Sequence, residues 1–143
     1  MPKKAAAQRK LTPGQRRNLD VEISFLEGLV KRDPQYIEAL QLLGDDYTRR
    51  GRVRDGLSVD RRLAGLCPDD PAVFYNLACS HALAGDVEDA AAALDRAITL
   101  GFRDFTWISR DPDLKPLRQH PLYRKIRQRL KALRGDAKQR PRR

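Results

Sequence analysis

PAVFYNLACSHALAGDVEDAAAALDRAITL, residues 71–100, decides the fold, because YIEALQLLGDDYTRRGRVRDGL, residues 36–57, carries the same layout 34 positions earlier. In register, Leu40 falls on Phe74, Leu43 on Leu77, Gly44 on Ala78 and Tyr47 on His81. Gly51 then falls on Gly85, Gly56 on Ala90 and Val59 on Ala93. Within each copy apolar residues recur three or four apart up to a Gly, after which a second periodic stretch begins. Each copy reads as helix, short turn, helix.

Close packing inside a helical hairpin explains the pattern. Gly44 and Ala78 on the first helices, and Gly56 and Ala90 on the second, are small, and helix axes approach closely only where side chains are small. Gly51 and Gly85 are expected to end the first helices, since Gly enters the left-handed conformation without steric cost. Leu40, Leu43, Phe74 and Leu77 form the stripe to be buried. Asp33-Pro34 and Asp70-Pro71 each offer a capping carboxylate followed by a preset Pro, and are read as helix starts.

On these residues the chain resembles the tetratricopeptide repeat family, in the manner of small bacterial members with a degenerate C-terminal repeat. The 34-residue period, the order of bulky residue, Leu, small residue and Tyr in the first helix, the small residue of the second helix and Pro68 between repeats carry the resemblance. It covers residues 37–70 and 71–104 as two full copies. It extends back over 12–36, where Phe25, Leu26, Leu29 and Pro34 stand 34 residues before Val59, Asp60, Leu63 and Pro68. That stretch reads as the second helix of an incomplete leading repeat, opened by the capping box Thr12-Pro13-Gly14-Gln15. Asp60, Leu63 and His81 depart from the family's preferences without breaking the period. The resemblance implies an all-α chain, an α-solenoid of stacked antiparallel helix hairpins wound into a right-handed superhelix.

A third copy begins and fails. Ile108 lies 34 residues beyond Phe74, but Asp111-Pro112 arrives where the helix should continue, and a Pro inside a helix costs about 3 kcal/mol. Residues 104–110 and 112–119 are therefore expected as separate short helical turns. HPLYRKIRQRLKALRG is expected as a closing helix ending at Gly135, with Leu122, Ile126, Leu130 and Leu133 as its apolar stripe and a polar outer face. The organisation expected is a basic disordered arm over 1–11, a repeat domain over 12–134 whose part 105–134 is the degenerate repeat and capping helix, and a basic tail over 135–143.

Charge follows the same division. The 143 residues carry a net charge of +10, yet residues 18–114 hold 11 basic against 18 acidic side chains. Residues 1–17 hold six Lys/Arg and no acid, and residues 115–143 hold twelve Lys/Arg against Asp136 alone. An acidic body with basic ends suggests arms that meet phosphate, anionic lipid or an acidic protein surface. No apolar run approaches the roughly 18 residues of a membrane span, and the basic N-terminus has no apolar stretch behind it to form a secretory signal. A cytoplasmic protein is expected. Cys67 and Cys79 are too few for a disulfide framework, lack companions for a zinc site, and read as reduced thiols.

Chemistry is sparse. His81 occupies the position of Tyr47 in the other copy and reads as a packed residue; His120, before Pro121, reads as a helix-start residue. Asp45-Asp46 point apart on a helix, while Asp69-Asp70 and Asp111/Asp113 sit beside prolines, so capping accounts for them better than metal or acid–base work. No phosphate loop, nucleophile elbow or zinc-ligand set occurs. The expectation is a non-catalytic protein with no cofactor and no metal.

A binding surface follows from the stacked-hairpin geometry, in which first helices line a concave face that in the family holds a peptide or a partner's helix. Gln41, Asp45 and Thr48 of the first copy and Tyr75, Asn76, Cys79 and Ala82 of the second are the groove candidates. Asn76 stands out because an amide both donates to and accepts from a peptide backbone, and Tyr75 adds a rigid amphipathic contact. The set of Lys and Arg with which some family members grip a C-terminal carboxylate is missing. The function expected is a scaffold or adaptor binding another protein or peptide, with self-association left open. The alternative is association with nucleic acid or an anionic surface through the basic ends and the face of Arg124, Arg127, Arg129, Lys131 and Arg134. Tyr123 alone is available there for stacking, so such binding would be weakly selective.

Overall fold

The computed structural model describes residues 10–139, with side chains through residue 135. Those residues are all-helical, with no strand among them. Eight α-helices follow in order: α1 Pro13–Arg32, α2 Ile37–Arg49, α3 Val53–Leu66, α4 Pro71–Leu83, α5 Val87–Leu100, α6 Phe105–Ile108, α7 Lys115–Arg118 and α8 Tyr123–Gln139, with a 3-10 turn at Pro112–Leu114 before α7. No helix among the described residues is long and apolar enough to cross a membrane. Residues 1–9 of the expected N-terminal arm and 140–143 of the expected tail lie outside the described residues.

The 34-residue period is visible in the helix bounds. α2 and α4 have 13 residues each and begin at Ile37 and Pro71; α3 and α5 have 14 each and begin at Val53 and Val87. Both first helices end alike. Gly51 and Gly85 have φ of 85° and 82°. The next residue's amide reaches five residues back, Arg52 N to Tyr47 O at 2.8 Å and Asp86 N to His81 O at 2.9 Å. This is the left-handed Gly closure that satisfies the last carbonyls of a helix.

Inside the first hairpin, small residues set the separation of α2 and α3. A Cβ added to Gly56 would stand 2.9 Å from Thr48 Oγ1 and 3.5 Å from the Gly44 carbonyl. Helices pack on their chain neighbours from α1 to α5; α4 then meets the 3-10 turn and α7, and α5 meets α7 and α8. One apolar cluster joins Ile23, Leu26 and Val30 of α1 to Leu40, Leu43, Val59, Leu63 and Val73. A second runs from Leu57 through Leu94, Ile98, Ile108 and Leu117 to Ile126 and Leu130.

Helix starts show where sequence reasoning holds and where it does not. Thr12 Oγ1 accepts from Gln15 N at 3.1 Å while Gln15 Oε1 accepts from Thr12 N at 2.9 Å, a complete capping box. Asp70 Oδ1 caps α4 through the amides of Ala72 and Val73, with Pro71 in the first turn. Asp33-Pro34 is different. Asp33 closes α1, its carboxylate accepts from Gln35 N at 3.2 Å, and α2 starts only after Tyr36. The pair builds the α1–α2 turn rather than opening a helix.

The C-terminal segment breaks at Asp111-Pro112 into short turns, Asp104 capping α6 through Trp107 N and Asp111 capping the 3-10 turn through Asp113 N. Two expectations for α8 need correction. The helix passes Gly135 and continues as far as Gln139, because a Gly inside a helix costs only about 1 kcal/mol and no Pro stands between the two. It starts at Tyr123, so Tyr123, Ile126 and Leu130 are the buried stripe and Leu122 is 38% exposed.

Candidate functional site

Helix spacing places Glu38, Gln41, Leu42 and Asp45 on one stripe of α2, and that stripe forms one wall of a hollow of about 550 Å³. Ala72, Val73, Tyr75 and Asn76 of α4 face it, Asp60 and Leu63 of α3 lie beneath, and Phe102 closes one side. Leu42 on the wall is 43% exposed and is the large aliphatic side chain of that stripe open to solvent. Asp60 sits on the floor, 3% exposed, its Oδ2 accepting from Ser80 Oγ of α4. No Lys, Arg or His is among the described residues lining the hollow.

Of the seven groove candidates, the structure brings Gln41, Asp45, Tyr75 and Asn76 to this hollow. Gln41 is exposed and Asp45 and Asn76 are half-exposed, whereas Tyr75 is buried behind the wall. Thr48, Cys79 and Ala82 are buried too and are not available to a partner, which corrects their assignment to a groove. Thr48 is held between α2 and α3, its hydroxyl donating to Gly44 O at 3.0 Å. Cys79 and Tyr75 face the segment C-terminal to α5. Tyr75 OH donates to Asp111 Oδ2 at 2.6 Å, Cys79 Sγ is 3.6 Å from the same oxygen, and the Phe102 ring stacks on Tyr75 at 4.2 Å. Burial first, then Cys79 and Asp111, raises the Tyr75 phenol far above its ordinary range, so it remains a donor.

Sequence reasoning missed Glu38, Leu42, Asp60 and Phe102. Glu38 and Leu42 were readable from the stripe that holds Gln41 and Asp45; Asp60 carried a signal in its departure from an apolar position, and Phe102 carried none.

Two groups bring ligand-type atoms within 4.8 Å of one another: Cys79, Asp111 and Asp113, all buried, and His81, Asp86 and Asp89. In the first, the Asp111 carboxylate is engaged by Tyr75, Cys79 and Asp113 N and works as an internal fastener of α4 to the C-terminal segment. In the second, Asp86 accepts from Arg54 at 3.1 Å and lies 3.6 Å from His81 Nδ1. Cys67 and Cys79 are both free thiols.

On α8, Arg124, Arg127, Lys131 and Arg134 are exposed. Arg127 lies over the Tyr123 ring at 5.3 Å and Arg134 over Phe105 at 5.9 Å. Arg129 belongs to a different role. It is half-buried, donates to Asp95 Oδ1 at 2.5 Å and to Thr99 Oγ1 at 3.0 Å, and ties α8 to α5.

The described residues thus form an all-helical fold with two 34-residue copies and an acid-lined depression between their first helices. No family model matches the chain, and no solved structure matches it. It is similar to a chloroplastic protein of Arabidopsis thaliana, 29% identical over 96 residues, 65% of this chain and 27% of that protein. The chain therefore spans about a quarter of the length of that relative.

Proposed function

We propose that this chain is a non-catalytic scaffold or adaptor module, an α-solenoid of tetratricopeptide type, that holds a segment of another protein in the hollow between α2 and α4. The observation that carries the reading is an exposed apolar side chain, Leu42, flanked by the hydrogen-bonding side chains Gln41 and Asn76 around a depression of about 550 Å³. Sites of that size with an apolar body and a few placed polar groups hold ligands well. The two free thiols fit a reducing compartment such as the cytoplasm.

A photo-crosslinking side chain at Gln41 tests it. A discrete partner protein should be labelled, and labelling should fall in Asn76→Ala and Leu42→Ser backgrounds that melt like the parent. Equal labelling in all three backgrounds would remove the hollow from consideration. A second reading rests on the exposed Arg124, Arg127, Lys131 and Arg134, which suit an anionic surface or nucleic acid. Binding that collapses between low and moderate salt and follows these four residues, rather than Leu42, favours that reading.

A further inference from the structure

Resting on the reading of the hollow as a peptide site, we infer that the segment it takes is cationic: a short extended stretch with two Lys or Arg four residues apart on either side of an apolar side chain.

Apart from the buried Tyr75 phenol, every ionisable group lining the hollow is a carboxylate: Glu38 and Asp45 on the rim and Asp60 on the floor. The neighbouring hollow of about 350 Å³ between α1, α2 and α3 shows that this is not a general property of the molecule. Its lining mixes Glu27 and Asp55 with Lys31 and Arg62 and favours neither sign. Glu38 and Asp45 are two helical turns apart, about 10 Å at 1.5 Å per residue. Side chains on one face of an extended chain recur at every second residue, so two cations four residues apart, with flexible stems, reach both carboxylates from the same face.

Asp60 on the floor is almost fully withdrawn from water and its Oδ2 accepts from Ser80 Oγ, so the exposed Glu38 and half-exposed Asp45 on the rim are the carboxylates that meet the segment. Leu42, Ala72 and Phe102 supply accessible apolar surface on which the methylene stems of Lys or Arg lie while their heads reach the carboxylates.

Fluorescence anisotropy on the intact chain tests the inference with three nine-residue probes that share a central leucine and differ in two flanking positions: lysine, glutamine or glutamate. The lysine probe should bind tightest and the glutamate probe weakest. Glu38→Gln and Asp45→Asn should each weaken the lysine probe about two- to fivefold, the range of exposed ion pairs, while Asp69→Asn outside the hollow leaves it unchanged. If lysine and glutamine probes bind alike, indifferent to Glu38→Gln and Asp45→Asn but weakened by Leu42→Ser and Asn76→Ala, the peptide site stands and its charge preference falls. If the lysine probe ignores all four substitutions, or no probe binds, both readings fall.

Discussion

Residues 37–66 and 71–100 share helix bounds, turn geometry and left-handed Gly closures, yet their equivalent faces have opposite fates. Gln41 and Asp45 of α2 line an open hollow, whereas Tyr75 and Cys79, 34 residues later, are sealed in the interior. The backbone does not make this difference. Phe102 and Asp111, both C-terminal to α5, stand against Tyr75 and Cys79, while the corresponding side of α2 faces α4 across a gap. The same helical stripe becomes a surface or a core according to what is laid over it.

Removing packing where the second copy is densest should have the largest effect. Leu94, fully buried in α5, is the counterpart of the bonded carboxylate Asp60. Leu94→Ala should cost about 2–5 kcal/mol in thermal or denaturant unfolding; a loss below about 1 kcal/mol would mean the α4–α5 interface is loose. Next comes the seal itself. Tyr75→Phe leaves the buried Asp111 carboxylate without its 2.6 Å donor and should cost about 1–3 kcal/mol, whereas Gln41→Ala at the equivalent open position should stay within about 0.5 kcal/mol.

A transplant sharpens the comparison further. The pair Thr48 and Gly56 in the first hairpin is Ala82 and Ala90 in the second. Gly56→Ala alone places a Cβ 2.9 Å from Thr48 Oγ1 and should destabilise by about 1–3 kcal/mol. Adding Thr48→Ala, which copies the second hairpin at both positions, should recover most of that loss in a double-mutant melt.

The two copies also differ in a titrating group. Asp46, buried in α2 where the second copy has Ser80, has its carboxyl pushed up from 3.8 to about 7, first by burial and then by the Glu22 carboxylate of α1, with Asp45 adding to the rise and Arg49 opposing it. The folded chain then holds this proton more tightly than the unfolded chain. Stability should therefore fall as pH rises from about 4 to about 7 and level off above. Melting temperatures at intervals across that window should show the slope, and Asp46→Asn should flatten it; an unchanged slope would assign the titration elsewhere.

Much of the architecture was legible in the residue order. The 34-residue spacing, the Gly51 and Gly85 closures, the Thr12–Gln15 box, the Asp70 cap and the break at Asp111-Pro112 all arise from interactions within a few residues along the chain, which local patterns record. Legibility ended where distant segments meet. Phe25 shares a helix with Leu26, but α1 turns Leu26 inward and leaves Phe25 66% exposed, because helix spacing lists faces without saying which is covered. Arg129 looks like its exposed basic neighbours until Asp95 and Thr99 of α5 are seen beside it.

The sequence alone determined the period, the helix–turn–helix units and the concentration of acid in the middle of the chain, since backbone preference, capping and charge are properties of near neighbours. Only the tertiary structure decided which candidate residues reach a partner. Thr48, Cys79 and Ala82 are removed from the surface by contacts across helices, and Glu38, Leu42 and Asp60 are gathered at one hollow. Burial is set by which elements come to lie against one another, and that depends on side chains far apart in the chain meeting in space.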